Sequence, residues 1–433
     1  MTEFIKRRQI FANSMLDNSM AIFPANKELM RSNDTEFRFR QNSDFYYLTG
    51  FNEPDACLLL IKKDGLVKSV LFNRKKDKTA EIWHGYRLGQ EAALAELAID
   101  QAFPIDDLEI KLSEFFTNVE HLYYPVLSGA SLDHCLQSVL NKLRSKTRSG
   151  LIDTNQFLNW QPQIHEMRLF KSSYEQELMR KAGEISALGH VRAMQQCQPG
   201  MWEYQLQLEV EYEFARQGTR DVAYNSIVAS GNNACILHYT ENDKQLQDGD
   251  LVLIDAGAEY QGYAGDITRT FPVNGRFSPQ QAALYELVLD CQLFAIAQVK
   301  PNISMLAINA LVVRKMSEGL FNLSIVKGDL ESFIKEEKYK VFYMHGLGHF
   351  IGLDVHDVGN SGSVAEPRAL EAGMVVTIEP GLYISHDADV DECWKGIGIR
   401  IEDDLLVTEN GNEILTAAVP KSIQEIEALM QHG

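Results

Sequence analysis

Residues 253–271 read LIDAGAEYQGYAGDITRTF, and two aspartates, Asp255 and Asp266, sit inside its strand-like apolar runs. DLVLID ends one run at Asp255, GYAGDITRTF carries Asp266 in the next, and AEYQG is a short connection between them. An antiparallel hairpin centred between Tyr260 and Gln261 would make the two carboxylates direct cross-strand neighbours, with Cβ atoms about 5 Å apart. Like charges so placed destabilise a sheet unless something positive lies between them. One divalent cation, or two, would satisfy both; two-metal hydrolytic sites hold their ions roughly 3.5–4 Å apart, a gap carboxylates can bridge. Taken alone, the pair reads first as one aspartate capping a turn and the other facing solvent; the rest of the chain shifts that reading.

Other stretches carry ligand types that weigh on the choice. HGLGHFIGLDVHD (residues 345–357) holds His345, His349 and His356. The first two have the i, i+4 spacing of a zincin helix, but the glutamate is missing and Gly346 and Gly348 break a helix, so an irregular loop presenting imidazoles is expected. MVVTIEPGLY places Glu379 at the end of an apolar strand, just before Pro380-Gly381. In GIGIRIEDDLLVT, Ile397, Ile399 and Ile401 alternate with Arg400 and Glu402. Those two read either as an exposed ion pair or as an arginine beside a second bridging carboxylate. Asp255, Asp266, His349, Glu379 and Glu402 thus form a set of four carboxylates and one imidazole. Such a set suits Mn(II) or Co(II) better than a sulfur-loving ion.

At 433 residues the chain is too long for one ordinary core, so two domains are expected. Apolar residues make up 45% and charged residues 23%, as in soluble globular proteins. With 41 basic and 60 acidic residues the net charge is −19, which argues against retention on nucleic acid or anionic lipid. The six cysteines, Cys57, Cys135, Cys197, Cys235, Cys291 and Cys393, form no CxxC pair and read as free thiols. No apolar signal segment opens the sequence and no run approaches a membrane span, so a cytoplasmic protein is expected.

Along residues 1–165, ACLLLIKKDG and KSVLFN read as strands and GQEAALAELAI as a helix. NWQPQIHEMRLFKSS reads as a connection without clear period. SSYEQELMRKAGEISALGHVRAMQQ reads as a helix with Ser172 and Glu175 at capping-box spacing. PGMWEYQLQLEVEYEFARQG reads as another, closed by Gly218. Two further helices are expected at about 278–298 and 303–320, with strands and loops over about 340–418. Helices followed by strands occur twice after residue 170, an architectural duplication without a sequence repeat.

The order and surroundings of the five ligand candidates resemble the pita-bread metallopeptidases, which include methionine aminopeptidase, prolidase and aminopeptidase P. HGLGHFIGLDVHD resembles the signature of their proline-specific branch. RQNSDFYYLTGFNEP, IHEMRLFKS, ILHYTEND, LIDAGAEYQGYAGDITRTFPVNG and GIGIRIEDD are similar to aminopeptidase P (Xaa-Pro aminopeptidase) over nearly the whole chain. The resemblance implies an α/β N-terminal domain over 1–168 and an α+β pita-bread catalytic domain with pseudo-twofold halves over 169–433. It implies two divalent ions, Mn(II) first, on Asp255, Asp266, His349, Glu379 and Glu402. They would turn a bridging water into hydroxide for attack on the bond between any N-terminal residue and a penultimate proline. Glu379 would shuttle the proton, with His238 and His356 binding the substrate carbonyl and the oxyanion. Tyr224, His345, Arg400 and Tyr383 would line the proline pocket, and Trp83 would lie near an active site, that of a neighbouring subunit included. A buried core tryptophan is the competing reading of Trp83. Peptides with proline at position two and further copies of the chain, as a homotetramer, are the implied partners, with no nucleic acid and no membrane. Prolidase, which cuts Xaa-Pro dipeptides, is the nearest alternative. A non-catalytic binding protein on this scaffold would be expected to lack ligands that are all present here.

Overall fold

The computed structural model describes residues 2–125, 132–145 and 154–431. The chain divides into two compact units, Met1–His165 and Glu166–Gly433. The first is built on a six-stranded mixed sheet in the order Gln101–Pro104, Leu66–Asn73, Cys57–Lys63, Ser19–Pro24, His121–Tyr123, Gln156–Leu158. Its central hairpin turns at Asp64-Gly65, both at positive φ (51° and 73°). That is what a two-residue turn needs if its twist is to match that of the strands. The expected strands and the helix Gly89–Glu96 are present.

The stretch from Asn159 to Ser173, expected to be irregular, contains the helix Gln161–Leu169. Pro162 does not prevent it, because a proline in the first turn removes an N–H that would have no intrahelical partner. The Asn159 side chain accepts the Gln161 N–H at 2.9 Å, and Ile164 and Leu169 are wholly buried.

In the second unit the helices Ser173–Gln196 and Glu203–Arg216 precede one set of strands, and Pro279–Gln298 and Met305–Asn322 precede another. The Ser172–Glu175 capping box forms as expected. The first strand set contains a sheet in the order Ile227–Ser230, Leu251–Asp255, Thr268–Pro272. The second contains Val375–Ile378, Asp403–Thr408 and Gly411–Ile414, with the pair Gly381–Ile384 and Ile397–Arg400 beside it. This is the pita-bread α+β architecture, with two halves each built of helices then strands. Leu284, Val312, Ile254 and Ile378 belong to one continuous core.

The halves are stitched together at their strands. The Glu402 N–H donates to Thr268 O at 3.0 Å. The wholly buried Arg269 guanidinium donates to Thr268 O and Glu402 O, to Asp403 Oδ1 at 2.8 Å, and to Val419 O and Pro420 O. Asp403 Oδ2 also receives Lys421 Nζ at 2.6 Å and Gln292 Nε2 at 2.7 Å.

The hairpin between the two aspartates forms, but not in the expected register. It turns at Gln261-Gly262, with φ of 51° and 86°, so Tyr260 pairs with Tyr263. Asp255 is therefore opposite Thr268, not Asp266. A shift of two residues keeps both carboxylates on one face. It also sets Gly265 opposite Ala258 and brings Gly257 close enough that a Cβ there would lie 1.7 Å from the Gly265 carbonyl oxygen. The close approach demands glycine there. Among the described residues no helix is long and apolar enough to cross a membrane.

Candidate metal centre

The five ligand candidates come from breaks in regular structure. Asp255 ends its strand. Asp266 lies where the ladder lapses between Ala264 and Thr268, and its N–H donates to Asp404 Oδ2 at 2.9 Å. Glu379 and Glu402 each follow the last residue or two of a strand, Val375–Ile378 and Ile397–Arg400. Such positions free a side chain from the sheet while keeping its backbone fixed.

His349 stands in the irregular glycine-rich loop that the sequence suggests. Its N–H donates to Thr377 Oγ1 at 3.1 Å, and its carbonyl receives the Thr377 N–H at 2.9 Å. Gly348 permits this contact: a Cβ there would sit 2.0 Å from Thr377 O. The ring's Nδ1 faces Phe350 O at 3.0 Å, which turns Nε2 toward Asp266 Oδ2 (3.5 Å) and Glu379 Oε1 (3.7 Å).

Ligand atoms of Asp266, His349 and Glu402 all lie within 4.8 Å of one another. Asp255 joins them through Tyr224, whose hydroxyl meets Asp255 Oδ1 and Asp266 Oδ1, each at 2.5 Å. All five line a cavity of about 560 Å³. Among the described residues Arg400 is the cation in direct contact with Asp255, at 2.6 Å. Arg400 and Glu402 are buried, so they are not an exposed surface pair.

The electrostatics fit a cation site. Burial, with Asp255 nearby, raises the Asp266 pKa. Burial lifts Glu379 to about 7, and burial together with Asp266 and Glu379 pushes Glu402 well above the carboxylate range. Burial works to lower the His349 pKa, but Asp266 and Glu379 overcome it and raise it to about 9. Left to itself, this cluster retains protons that a divalent ion would displace. Among the described residues the buried Asp404 Oδ1 behind it has no hydrogen-bond partner. Four carboxylates with one imidazole are a donor set for a hard-to-borderline divalent metal.

The remaining candidates divide. His238, His345 and His356 line the same cavity. His345 Nε2 lies 2.7 Å from the Tyr383 hydroxyl, which also receives Arg400 Nη1 at 3.0 Å. Burial lowers the His345 pKa to about 4. The His356 ring packs edge-on against His349 at 4.2 Å between centroids, and burial lowers its pKa as well. Trp83 is elsewhere. It is 79% exposed on the helix Lys78–His84 of the N-terminal unit, between Ile82 and Tyr86, also exposed, so it is not a core tryptophan.

Thr268 was not singled out from sequence. Its Oγ1 donates to Glu402 Oε2 at 2.7 Å and accepts from Arg400 Nε at 3.1 Å. The alternation Asp266, Thr268, Thr270 along DITRTF was the available signal.

This geometry agrees with what similarity shows. The model of metallopeptidase family M24 matches residues 177–409, and that of the aminopeptidase P N-terminal domain matches residues 4–123. The chain belongs to metallopeptidase family M24. It is 51% identical to an Xaa-Pro aminopeptidase of Escherichia coli, over 99% of this chain and 97% of that one. It is 49% identical to an Xaa-Pro aminopeptidase of Haemophilus influenzae, over the same shares. Its structure superposes on a zinc-substituted E. coli aminopeptidase P in complex with product at a TM-score of 0.97, with 50% identity and 99% and 98% of the two chains covered. For the proline aminopeptidase P II of Yersinia pestis the TM-score is 0.98, at 52% identity over 100% and 99% of the chains. As an M24 member, the protein is a metallopeptidase.

Proposed function

We propose that this protein is an Xaa-Pro aminopeptidase: it hydrolyses the bond between an N-terminal residue and a penultimate proline and releases the N-terminal amino acid. The observation that carries the reading is the convergence of Asp255, Asp266, His349, Glu379 and Glu402 on one cavity, in a chain similar to aminopeptidase P throughout its length.

Asp255 and Glu402, with Asp266, His349 and Glu379, would hold two divalent ions, and the hardness of these donors suits Mn(II). When bound, the ions supply Lewis acidity and activate a water for attack on the amide. Glu379 takes the proton of that water and hands it to the departing proline nitrogen. His238 and His356 donate to the scissile carbonyl as it gains negative charge. Tyr224, His345, Tyr383 and Arg400 form the wall against the proline ring; the Tyr383 hydroxyl ties His345 to Arg400, and the Tyr224 hydroxyl is held by Asp255 and Asp266. A bond to proline is a tertiary amide without an N–H, so a site that requires that N–H cannot serve and a shaped pocket must. Trp83, exposed on its own unit, serves the active site of a neighbouring copy in a cytoplasmic homotetramer, the residues 1–168 forming the non-catalytic domain.

The test uses enzyme stripped of metal and reloaded with Mn(II), offered an Xaa-Pro-Yaa tripeptide and an Xaa-Pro dipeptide. Mn-dependent release of Xaa, chiefly from the tripeptide, is expected. Cleavage of the dipeptide alone makes the protein a prolidase instead.

A further inference from the structure

Glu203 is wholly buried at the start of the helix Glu203–Arg216, on the far side of the loop that carries His238. Its carboxylate is held by hydrogen-bond donors, with no lysine or arginine side chain among them. Oε1 accepts from the Ser230 N–H and Oγ–H, both at 2.7 Å, and from Asn233 Nδ2 at 3.2 Å. Oε2 accepts from the Tyr239 hydroxyl at 2.9 Å and the Lys244 N–H at 3.0 Å.

These donors are distributed with a consequence. Between the strands Ile227–Ser230 and Leu251–Asp255 the chain has the short 3₁₀ turn Gly231–Cys235 and a single bridge from Gln245 to Trp202, and no strand. A connection of that length without secondary structure of its own holds a shape only if something inside it is anchored. Glu203 grips it at its entry (Ser230, Asn233), at its centre (Tyr239) and at its exit (Lys244). The Glu203 N–H also donates to Lys244 O at 2.8 Å, so the grip at the exit is mutual. His238 is the residue beside Tyr239. Its side chain is exposed to the cavity, and among the described residues it has no hydrogen-bond partner. Its position is therefore set by its backbone, which is tied down next to it by the buried Tyr239 and farther along by the buried Asn242, bonded to Val228, Gln207 and Ser226.

We infer that Glu203 is a positioning residue for His238: through Tyr239 and the two ends of the loop it fixes where the imidazole meets the substrate carbonyl, without touching substrate or metal. The inference rests on the proposed role of His238. It distinguishes Glu203 from a general stabiliser, because its effect on catalysis must pass through one side chain.

The experiment is a double-mutant cycle on the Mn(II)-loaded enzyme with an Xaa-Pro-Yaa tripeptide. In Glu203→Gln the new NH2 must face a backbone N–H, at Ser230 or at Lys244, donor against donor. Tyr239→Phe removes a single donor with no change of charge, and it keeps the test alive if Glu203→Gln fails to fold. The expected result is a kcat about tenfold lower in Glu203→Gln and about threefold lower in Tyr239→Phe, on the scale of a net intramolecular hydrogen bond. KM and bound Mn(II) per chain, read by metal analysis, stay as in the parent. In a His238→Ala background each change costs less than about twofold more, because the group being positioned is gone. Full additivity in that background overturns the inference, as does parental kcat in Tyr239→Phe together with folded Glu203→Gln. Parental activity in His238→Ala alone overturns the role of His238 itself, and the inference with it. Additive losses alongside an impaired His238→Ala overturn the inference only.

Discussion

Glu402, Asp403 and Asp404 are consecutive, buried and acidic, yet they belong to two different electrostatic regions. Asp403 points into a closed cluster of Arg269, Lys421, Gln292 and Thr416. Burial raises its pKa, but Arg269 and Lys421 win, and the net shift is downward. Glu402 and Asp404 point the other way, toward Asp266 and the cavity, and burial pushes both well above the carboxylate range. Strand alternation sends neighbours to opposite faces, so one tripeptide serves both regions. At Asp403 the protein's own cations match the buried carboxylate, and the charge is structural. At Glu402, beside Asp266 and Glu379, like charges crowd together at a candidate cation site. Deep burial alone does not mark a functional acid.

That contrast is tested hardest at Asp403. Asp403→Ala leaves the buried Arg269 and the partly exposed Lys421 without their partner, which costs about 3–5 kcal/mol. Urea unfolding should show that loss, with residual activity tracking the folded fraction. Asp266→Ala should do the reverse. It removes one of several crowded carboxylates, so the metal-free protein should unfold at the same urea concentration as its parent or a higher one. Activity with Mn(II) should nevertheless fall at least about 100-fold, beyond what removal of a mere neighbour of a ligand does. An Asp266→Ala protein that retains full activity would remove Asp266 from the centre.

The mildest test lies at Asp357, another matched carboxylate. Burial raises its pKa, but Lys171 at 3.0 Å and Arg168 shift it below the ordinary value. A folded-state value below the unfolded one adds stability that is complete above the unfolded pKa, about 3.9, and is lost as pH falls through the folded one. The stability gap between parent and Asp357→Asn should stay constant above about pH 5 and narrow below about pH 4. A gap that widens in acid contradicts the assignment.

The amino-acid pattern carried the outline of this site because chemistry-bearing residues were few and their settings distinctive: aspartates in apolar strands, imidazoles among glycines, a glutamate before Pro380-Gly381. The duplicated helix-then-strand order was legible in the same way, since helix periods and the Ser172 cap are local signals. The hairpin was legible but its register was not, because two adjacent residues of positive φ, Gln261 and Gly262, decide it, and glutamine does not advertise such a turn. The helix Gln161–Leu169 was hidden by a proline whose cost vanishes in a first turn. Tyr224 between two aspartates and Glu203 beneath the His238 loop depend on contacts between distant parts of the chain, which no local pattern encodes.

Arg269 and Asp403 depend on partners that come later in the chain: Thr416, Val419, Pro420 and Lys421. A ribosome that has finished Glu402 has made every ligand of the proposed centre, but not the clasp behind it. A chain cut between Glu402 and Thr416 would therefore carry every ligand of the proposed centre and lack the contacts that clasp Arg269 and Asp403 behind it.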